Sequence, residues 1–100
     1  MCNSVMQAKS SHFVLLDAGN TRIKWRVANT QNQTFVDQSQ QSFATSGLQS
    51  SEGFLQLAQQ LVATATQFSC REIWICHVLG AGFMQQLEEA VLGLDSGLTL

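Results

Sequence analysis

The sequence has few charged residues and no concentrated basic segment. Charged residues make up 12% of the 100 residues, the formal net charge is −2, and the five lysines and arginines form no long run. Proteins that bind nucleic acids usually carry a basic stripe that offsets the charge of the phosphates. The composition therefore argues against a nucleic acid as partner.

Long apolar segments and patterned cysteines are absent as well. No apolar run approaches the roughly 18 residues that a membrane-spanning helix needs, and residues 1–12 lack the apolar stretch of a secretory signal. Cys2, Cys70 and Cys76 form no Cys-x-x-Cys pair, and no histidine lies at zinc-ligand spacing. We therefore expect a cytoplasmic protein with reduced thiols and no membrane partner. Cys76 lies in an apolar run and is expected in the core.

The sequence does contain enough apolar material for a core. Hydrophobic residues make up 45% of the chain, which differs from the apolar-poor, charge-rich composition of disordered tails. The length fits one small domain or part of a larger one. We expect a flexible lead-in at residues 1–12 and one partial domain at 13–100, because the pattern of a further strand begins at 97–100.

The hydrophobic pattern predicts the order β-β-β-α-β-α. Continuous apolar residues at 13–16 are typical of a strand buried on both faces. In the second strand Ile23, Trp25 and Val27 alternate with three basic residues, as a strand with one solvated face requires. The remaining predicted elements are a weak strand at 34–39, a polar connection at 40–50, a helix from an N-cap at Ser51 to Phe68, a strand at 72–78 and a helix at 81–92. This order predicts an α/β fold with a mixed sheet covered by helices.

Residues 17–24, Asp-Ala-Gly-Asn-Thr-Arg-Ile-Lys, have side chains that suit a chemical role. Gly19 permits a positive φ and the close approach of a phosphate, and exposed amides in such a turn form an anion-binding concavity. Asn20 and Thr21 add donors, Lys24 can reach a phosphate, and Asp17 can hold Mg²⁺. The same residue types also form a good β-hairpin turn without any ligand. Composition alone favours that structural interpretation.

The stretch at 15–25 resembles the first phosphate motif of type III pantothenate kinases, the family that also includes the Bvg accessory factor proteins. That motif is Asp-x-Gly-Asn-Thr-x-x-Lys directly after the first strand, and every defined position is matched. Residues 73–78 are similar, more loosely, to the fourth strand of the family. The residues that the resemblance assigns to the cofactor are Asp17, Ala18, Gly19, Asn20, Thr21, Arg22, Ile23 and Lys24.

The resemblance implies the ribonuclease H-like α/β fold of the actin-like ATPase superfamily. It also implies ATP-dependent phosphorylation of pantothenate, the first step of coenzyme A biosynthesis. The implied cofactors are ATP, Mg²⁺ with Asp17 as ligand, and a monovalent cation (K⁺ or NH₄⁺) whose site lies outside this chain, and the implied complete enzyme is a homodimer. The family's Gly-x-Asp-Arg motif, which carries the catalytic base, and its Gly-Thr-Ala motif do not occur in the sequence. No catalytic residue is therefore expected in this chain.

Two alternatives remain open. Another kinase of the same superfamily, of the sugar or acetate kinase type, would share the fold, although the Asp-x-Gly-Asn-Thr turn favours the pantothenate family. A non-catalytic truncated product, or an interaction module that uses an exposed sheet edge, is favoured by the missing motifs. Outside the phosphate motif, Trp25, Trp74 and His77 are expected to have structural roles.

Overall fold

The structure, a computed structural model, describes residues 12–31 and 34–100. Its elements are β1 His12–Ala18, β2 Arg22–Asn29, β3 Thr34–Phe35, β4 Gln41–Ala44, a 3-10 helix Thr45–Gln49, α1 Ser51–Gln67, β5 Ile73–His77 and α2 Ala81–Leu94. Apart from the region between β2 and α1, each predicted strand and helix begins and ends within two residues of the observed bounds. The predicted lead-in lies outside the described residues, except for His12, which begins β1.

The strands form one mixed sheet with β1 in its interior. The order is β3-β2-β1-β5, and β4 pairs with the same strand, β2, as β3 does. β1 pairs with β2 in antiparallel and with β5 in parallel orientation. The predicted α/β fold with a mixed sheet and two helices is therefore confirmed.

The predicted third strand at 34–39 is wrong in its extent. Pairing with β2 stops after β3, because the hydroxyl of Ser39 takes the place of a backbone partner: it accepts from the Val27 N–H at 3.0 Å and donates to the Val36 carbonyl at 2.7 Å. Gln38 has a φ of +62°, which an extended strand does not allow. Pairing resumes at β4, inside the segment predicted to be a polar connection.

One face of the sheet, hereafter the inner face, packs against both helices. The alternating residues of β1 and β2 lie fully buried there, with Trp25 only 1% exposed. The indole N–H of Trp25 donates to the Thr64 hydroxyl of α1 at 3.2 Å. The N-cap of α1 is Ser50, one residue before the predicted cap, and its hydroxyl accepts from the Gly53 N–H at 3.3 Å. Apolar side chains of the two helices supply most of the rest of this core.

The opposite face, hereafter the outer face, is open within the part of the chain that the structure describes. Phe13 and Leu15 are only half-buried, so the prediction of a first strand buried on both faces is wrong. Cys76 is exposed rather than in the core, because it alternates with the buried side of β5. Trp74 is 57% exposed and lies on the sheet face against Phe13, with 5.2 Å between ring centroids.

The end of the chain runs beside β5. Thr99 forms an isolated parallel bridge with Glu72, and its carbonyl accepts from the Ile73 N–H at 2.8 Å. Of the strand predicted to begin at 97–100, only this single bridge is present, and residues 96–97 form a turn. No helix within residues 12–31 and 34–100 is both long and apolar enough to cross a bilayer.

Candidate functional site

The predicted phosphate segment folds as a hairpin between β1 and β2. Ala18 pairs with Ile23, and the Gly19 N–H donates to the Arg22 carbonyl at 3.0 Å, which leaves a two-residue turn of Asn20 and Thr21. The strand-turn-strand form predicted for 17–24 is confirmed. The side chains of Ala18 and Ile23 lie in the core, so only their backbone can face a ligand.

Gly19 does not use the conformational freedom of glycine. Within the described residues, positive φ is found at Gln38, Ser69 and Gly80 and not in this turn. A Cβ at Gly19 would meet only the Arg22 carbonyl oxygen, at 3.4 Å. The value of glycine here is therefore the open space beside the backbone, which allows a ligand to approach.

The amides of the turn are available as donors. Asn20 and Thr21 are exposed, and neither backbone N–H donates to a carbonyl or side chain of the residues that the structure describes. Amides that point outward from a tight turn can together bind an anion. The turn therefore offers two backbone donors beside the side-chain amide of Asn20 and the hydroxyl of Thr21.

A row of polar side chains crosses the outer face next to this turn. Asp17 of β1 lies directly opposite Lys24 of β2, and Lys24 lies opposite Ser42 of β4. Directly opposed residues in a sheet point to the same face, so the carboxylate, the ammonium and the hydroxyl are neighbours. Cys76 extends the row on β5, opposite Asp17.

Positive charge is concentrated on the outer face of β2. Arg22, Lys24 and Arg26 occupy alternate positions of that strand and are all exposed, and they are three of the five lysines and arginines of the chain. The Arg22 guanidinium donates to Ser42 Oγ at 3.3 Å, and Arg26 lies 3.5 Å from the centroid of the Phe35 ring. The sequence shows no basic run because the strand period separates these charges by one residue each.

In the part of the chain that the structure describes, two depressions share Leu15 in their linings. One of about 310 Å³ lies over the charged row and is lined by Leu15, Asp17, Lys24, Trp25, Arg26 and Gln40. A larger one of about 650 Å³ lies along β5 and is lined from both sides of the sheet, by Trp74 and Cys76 on one side and Met84 of α2 on the other. Only the smaller depression has cations in its lining, so it is the one that suits a phosphate.

Thr45, at the start of the 3-10 helix, holds the turn from the side of β4. Its hydroxyl donates to the Gly19 carbonyl at 2.7 Å, and its N–H donates to the Thr21 carbonyl at 3.1 Å. Sequence reasoning missed this residue because the contact joins positions 26 residues apart. No local pattern marks such a threonine.

Asp17 is the only predicted metal ligand. Within the described residues no three histidine, cysteine or acidic side chains come together as a metal cluster. Mg²⁺ commonly takes one or two protein carboxylates together with substrate phosphates and water. The exposed Asp17 carboxylate beside the turn fits that kind of shared site, although not a site built from protein ligands alone.

His77, at the end of β5, makes the contacts expected of a structural histidine. Its Nδ1 accepts from the Leu79 N–H at 3.2 Å, and its ring lies 5.0 Å from that of Phe83, centroid to centroid. These contacts shape the connection into α2 and hold the histidine on the inner side of the sheet.

The statistical model of one protein family, type III pantothenate kinase, matches residues 13–94. The chain belongs to this family. The matched range contains the hairpin, both helices and, apart from His12 at the start of β1, all five strands that the structure describes. Membership in this ATP-dependent kinase family supports a pantothenate kinase-type function in coenzyme A biosynthesis, with a small molecule as substrate. The comparison with curated proteins gave no match.

Proposed function

We propose that this chain supplies the first phosphate-binding loop of an ATP-dependent pantothenate kinase. The observation that carries the proposal is the pairing of Asp17 with Lys24 on an open face, directly beside a turn with two available amides. Phosphoryl transfer depends mainly on positioning the phosphates and neutralising their charge. The hairpin brings together groups for both tasks.

Each group has a distinct part in the proposed site. The amides of Asn20 and Thr21 bind phosphate oxygens, and Lys24 neutralises their charge together with the neighbouring arginines of β2. Asp17 is the residue that would hold Mg²⁺. Bound Mg²⁺ would spread the charge of the phosphates and fix their orientation. Ala18 and Ile23 serve by anchoring the two strands in the core.

The sheet supports a wider assignment to the ribonuclease H-like fold of the actin-like ATPases. β1 lies between an antiparallel β2 and a parallel β5, with the crossover to β5 made through α1. We propose that residues 13–100 form part of such a domain. The C-terminal ends of β1 and β5 then lie side by side, where α/β sheets commonly bind ligands.

Binding and catalysis should be separable in this chain. A hydroxyl nucleophile needs a base within hydrogen-bond reach, and the Gly-x-Asp-Arg motif that carries the family's base is not in the sequence. The 100-residue chain is therefore expected to bind nucleotide without phosphorylating pantothenate. Detectable formation of phosphopantothenate by the purified chain would contradict this part of the proposal.

The binding itself can be tested by titrating Mg²⁺-ATP into the isotope-labelled chain and following its amide NMR signals. Signals of residues 17–24 should shift. Lys24→Ala should weaken binding by roughly tenfold or more, since a charge-assisted hydrogen bond is lost. Arg71→Ala is the control, because Arg71 is an exposed cation at the other end of β5. Equal affinities for the two variants, or shifts confined to other residues, would rule out the hairpin as the phosphate site.

A further inference from the structure

The Asn20–Thr21 turn is hydrogen-bonded to a residue outside the phosphate motif, Thr45. We propose that Thr45 is a positioning residue, which fixes this turn and directs the backbone N–H of Asn20 towards a bound phosphate. The role of Thr45 in phosphate binding rests on the proposed function. The fixing of the turn by Thr45 is a property of the chain alone and can be measured without a ligand.

The hydrogen bonds of Thr45 fix the peptide planes on both sides of the turn. Its hydroxyl holds the Gly19 carbonyl at 2.7 Å, and its N–H holds the Thr21 carbonyl at 3.1 Å. In a planar trans peptide the carbonyl and the following N–H point in opposite directions. Because the Gly19 carbonyl points at Thr45, the Asn20 N–H must point away from Thr45. Thr45 therefore fixes the direction of the backbone N–H of Asn20.

Thr45 is itself held by regular structure. It follows β4 directly, and the last residue of β4, Ala44, pairs with Arg22. The 3-10 helix that Thr45 begins packs against the start of α1 so closely that a Cβ on Gly53 would collide with the Gly47 carbonyl. The threonine thus connects the turn to a rigid support on the inner side of the sheet. A short polar turn without such support would sample several orientations of its amides.

The hydroxyl can be removed with little change of shape. Thr45→Val deletes the hydrogen bond to Gly19 and keeps the backbone bond to Thr21, whereas Thr45→Ser keeps both. Thr66→Val is the matched control, since Thr66 is exposed at the end of α1 far from the 3-10 helix. If valine prevents folding, Thr45→Ala deletes the same hydroxyl. Thermal melting monitored by circular dichroism identifies the folded variants.

Two measurements decide the proposal. Amide ¹⁵N relaxation should show greater mobility of residues 19–22 in Thr45→Val, and wild-type order in Thr45→Ser and Thr66→Val. Titration with Mg²⁺-ATP should show affinity reduced by about three- to tenfold in Thr45→Val, the effect of one hydrogen bond, with recovery in Thr45→Ser. An unchanged turn in Thr45→Val overturns the proposal, whatever the affinity for nucleotide.

The outcomes separate this inference from the proposed function. If the wild-type chain does not bind Mg²⁺-ATP while Thr45→Val loosens the turn, the phosphate site is wrong and the positioning of the turn stands. If the wild type binds and Thr45→Val binds equally well with an ordered turn, the phosphate site stands and Thr45 has no positioning role.

Discussion

The two faces of the sheet differ in how they are covered and in what they carry. The inner face holds fully buried apolar side chains and is packed by both helices. The outer face carries Asp17, the three basic residues of β2, and aromatic and aliphatic side chains that are only partly covered. The same strands contribute to both faces, since alternate residues point to opposite sides. Folding and the proposed binding chemistry are thus carried by alternate positions of the same strands.

Because the proposed phosphate site lies on the outer face, its residues should be replaceable with little effect on the fold. Substitution of an exposed polar residue usually alters stability by no more than about 0.5 kcal/mol, so losses of function on the outer face can be measured in folded protein. Substitutions on the inner face should destabilise the fold, because its side chains are packed without exposure to water.

The largest contrast between the faces should appear at two neighbouring leucines. Leu16 is buried on the inner face and Leu15 is half-buried on the outer face. Leu16→Ala should lower the free energy of unfolding by about 3 kcal/mol, since it leaves a cavity in the core. Leu15→Ala should cost about 1 kcal/mol or less, in proportion to the area that it buries. Urea unfolding of both variants provides the comparison.

Equal losses at the two positions would contradict the contrast. They would mean that the outer face is covered in solution, as it would be in a self-associated form of the chain. Repeating the unfolding at several protein concentrations detects this, because the stability of an associated form depends on concentration.

The sequence predicted the inner face well because that face obeys simple periodicity. The alternation of Ile23, Trp25 and Val27 requires a buried side, and the structure places those residues there. The hairpin was also predictable, since its turn residues are adjacent in sequence. The break after β3 was not, because it depends on the Ser39 hydroxyl, which bonds to Val27 across 12 positions.

Exposure on the outer face was the harder property to predict. An apolar run such as 73–76 is equally compatible with a strand covered on one face or on both, so Cys76 was wrongly placed in the core. The contact between Thr45 and Gly19 was missed for a related reason: it depends on where β4 pairs with β2, and β4 itself lacks an apolar pattern. Long-range polar contacts are therefore the part of the site that only the structure provides.

The two tryptophans provide a second contrast of intermediate size. Trp25→Phe should cost about 1–2 kcal/mol, because it removes a buried hydrogen bond to Thr64 and reduces packing. Trp74→Phe should change stability by no more than about 0.5 kcal/mol, although its indole N–H donates to Glu72 at 2.9 Å, since that bond is exposed. Urea unfolding measures both effects.

Fluorescence of the same two variants provides an independent check on the exposure of each indole. Trp25, the tryptophan that remains in Trp74→Phe, should emit at shorter wavelength than Trp74 and be less accessible to a soluble quencher. Similar emission and quenching in the two variants would contradict the assignment of the tryptophans to different faces.

The smallest effect should come from a cysteine in the core. Burial raises the pKa of the Cys70 thiol from its ordinary value of 9.0 to about 11. Below pH 9 the thiol is protonated in both the folded and the unfolded chain, and it does not make stability depend on pH. Between pH 9 and 11 the unfolded chain loses this proton first, so the free energy of unfolding should fall as pH rises, by about 1 kcal/mol at pH 10.

Other effects of alkaline pH act on the whole chain, so the contribution of Cys70 must be taken as a difference between two chains. Urea unfolding under reducing conditions at pH 7 and pH 10 should show that the decline is larger in the wild type than in Cys70→Ala by about 1 kcal/mol. Cys76→Ala, the same substitution on the outer face, retains Cys70 and should keep the extra decline. A constant difference between wild type and Cys70→Ala at both pH values would mean that this thiol ionises as readily in the folded chain as in the unfolded one. The core would then be open to water at Cys70, and the contrast between a buried and an exposed side of the molecule would not extend to its cysteines.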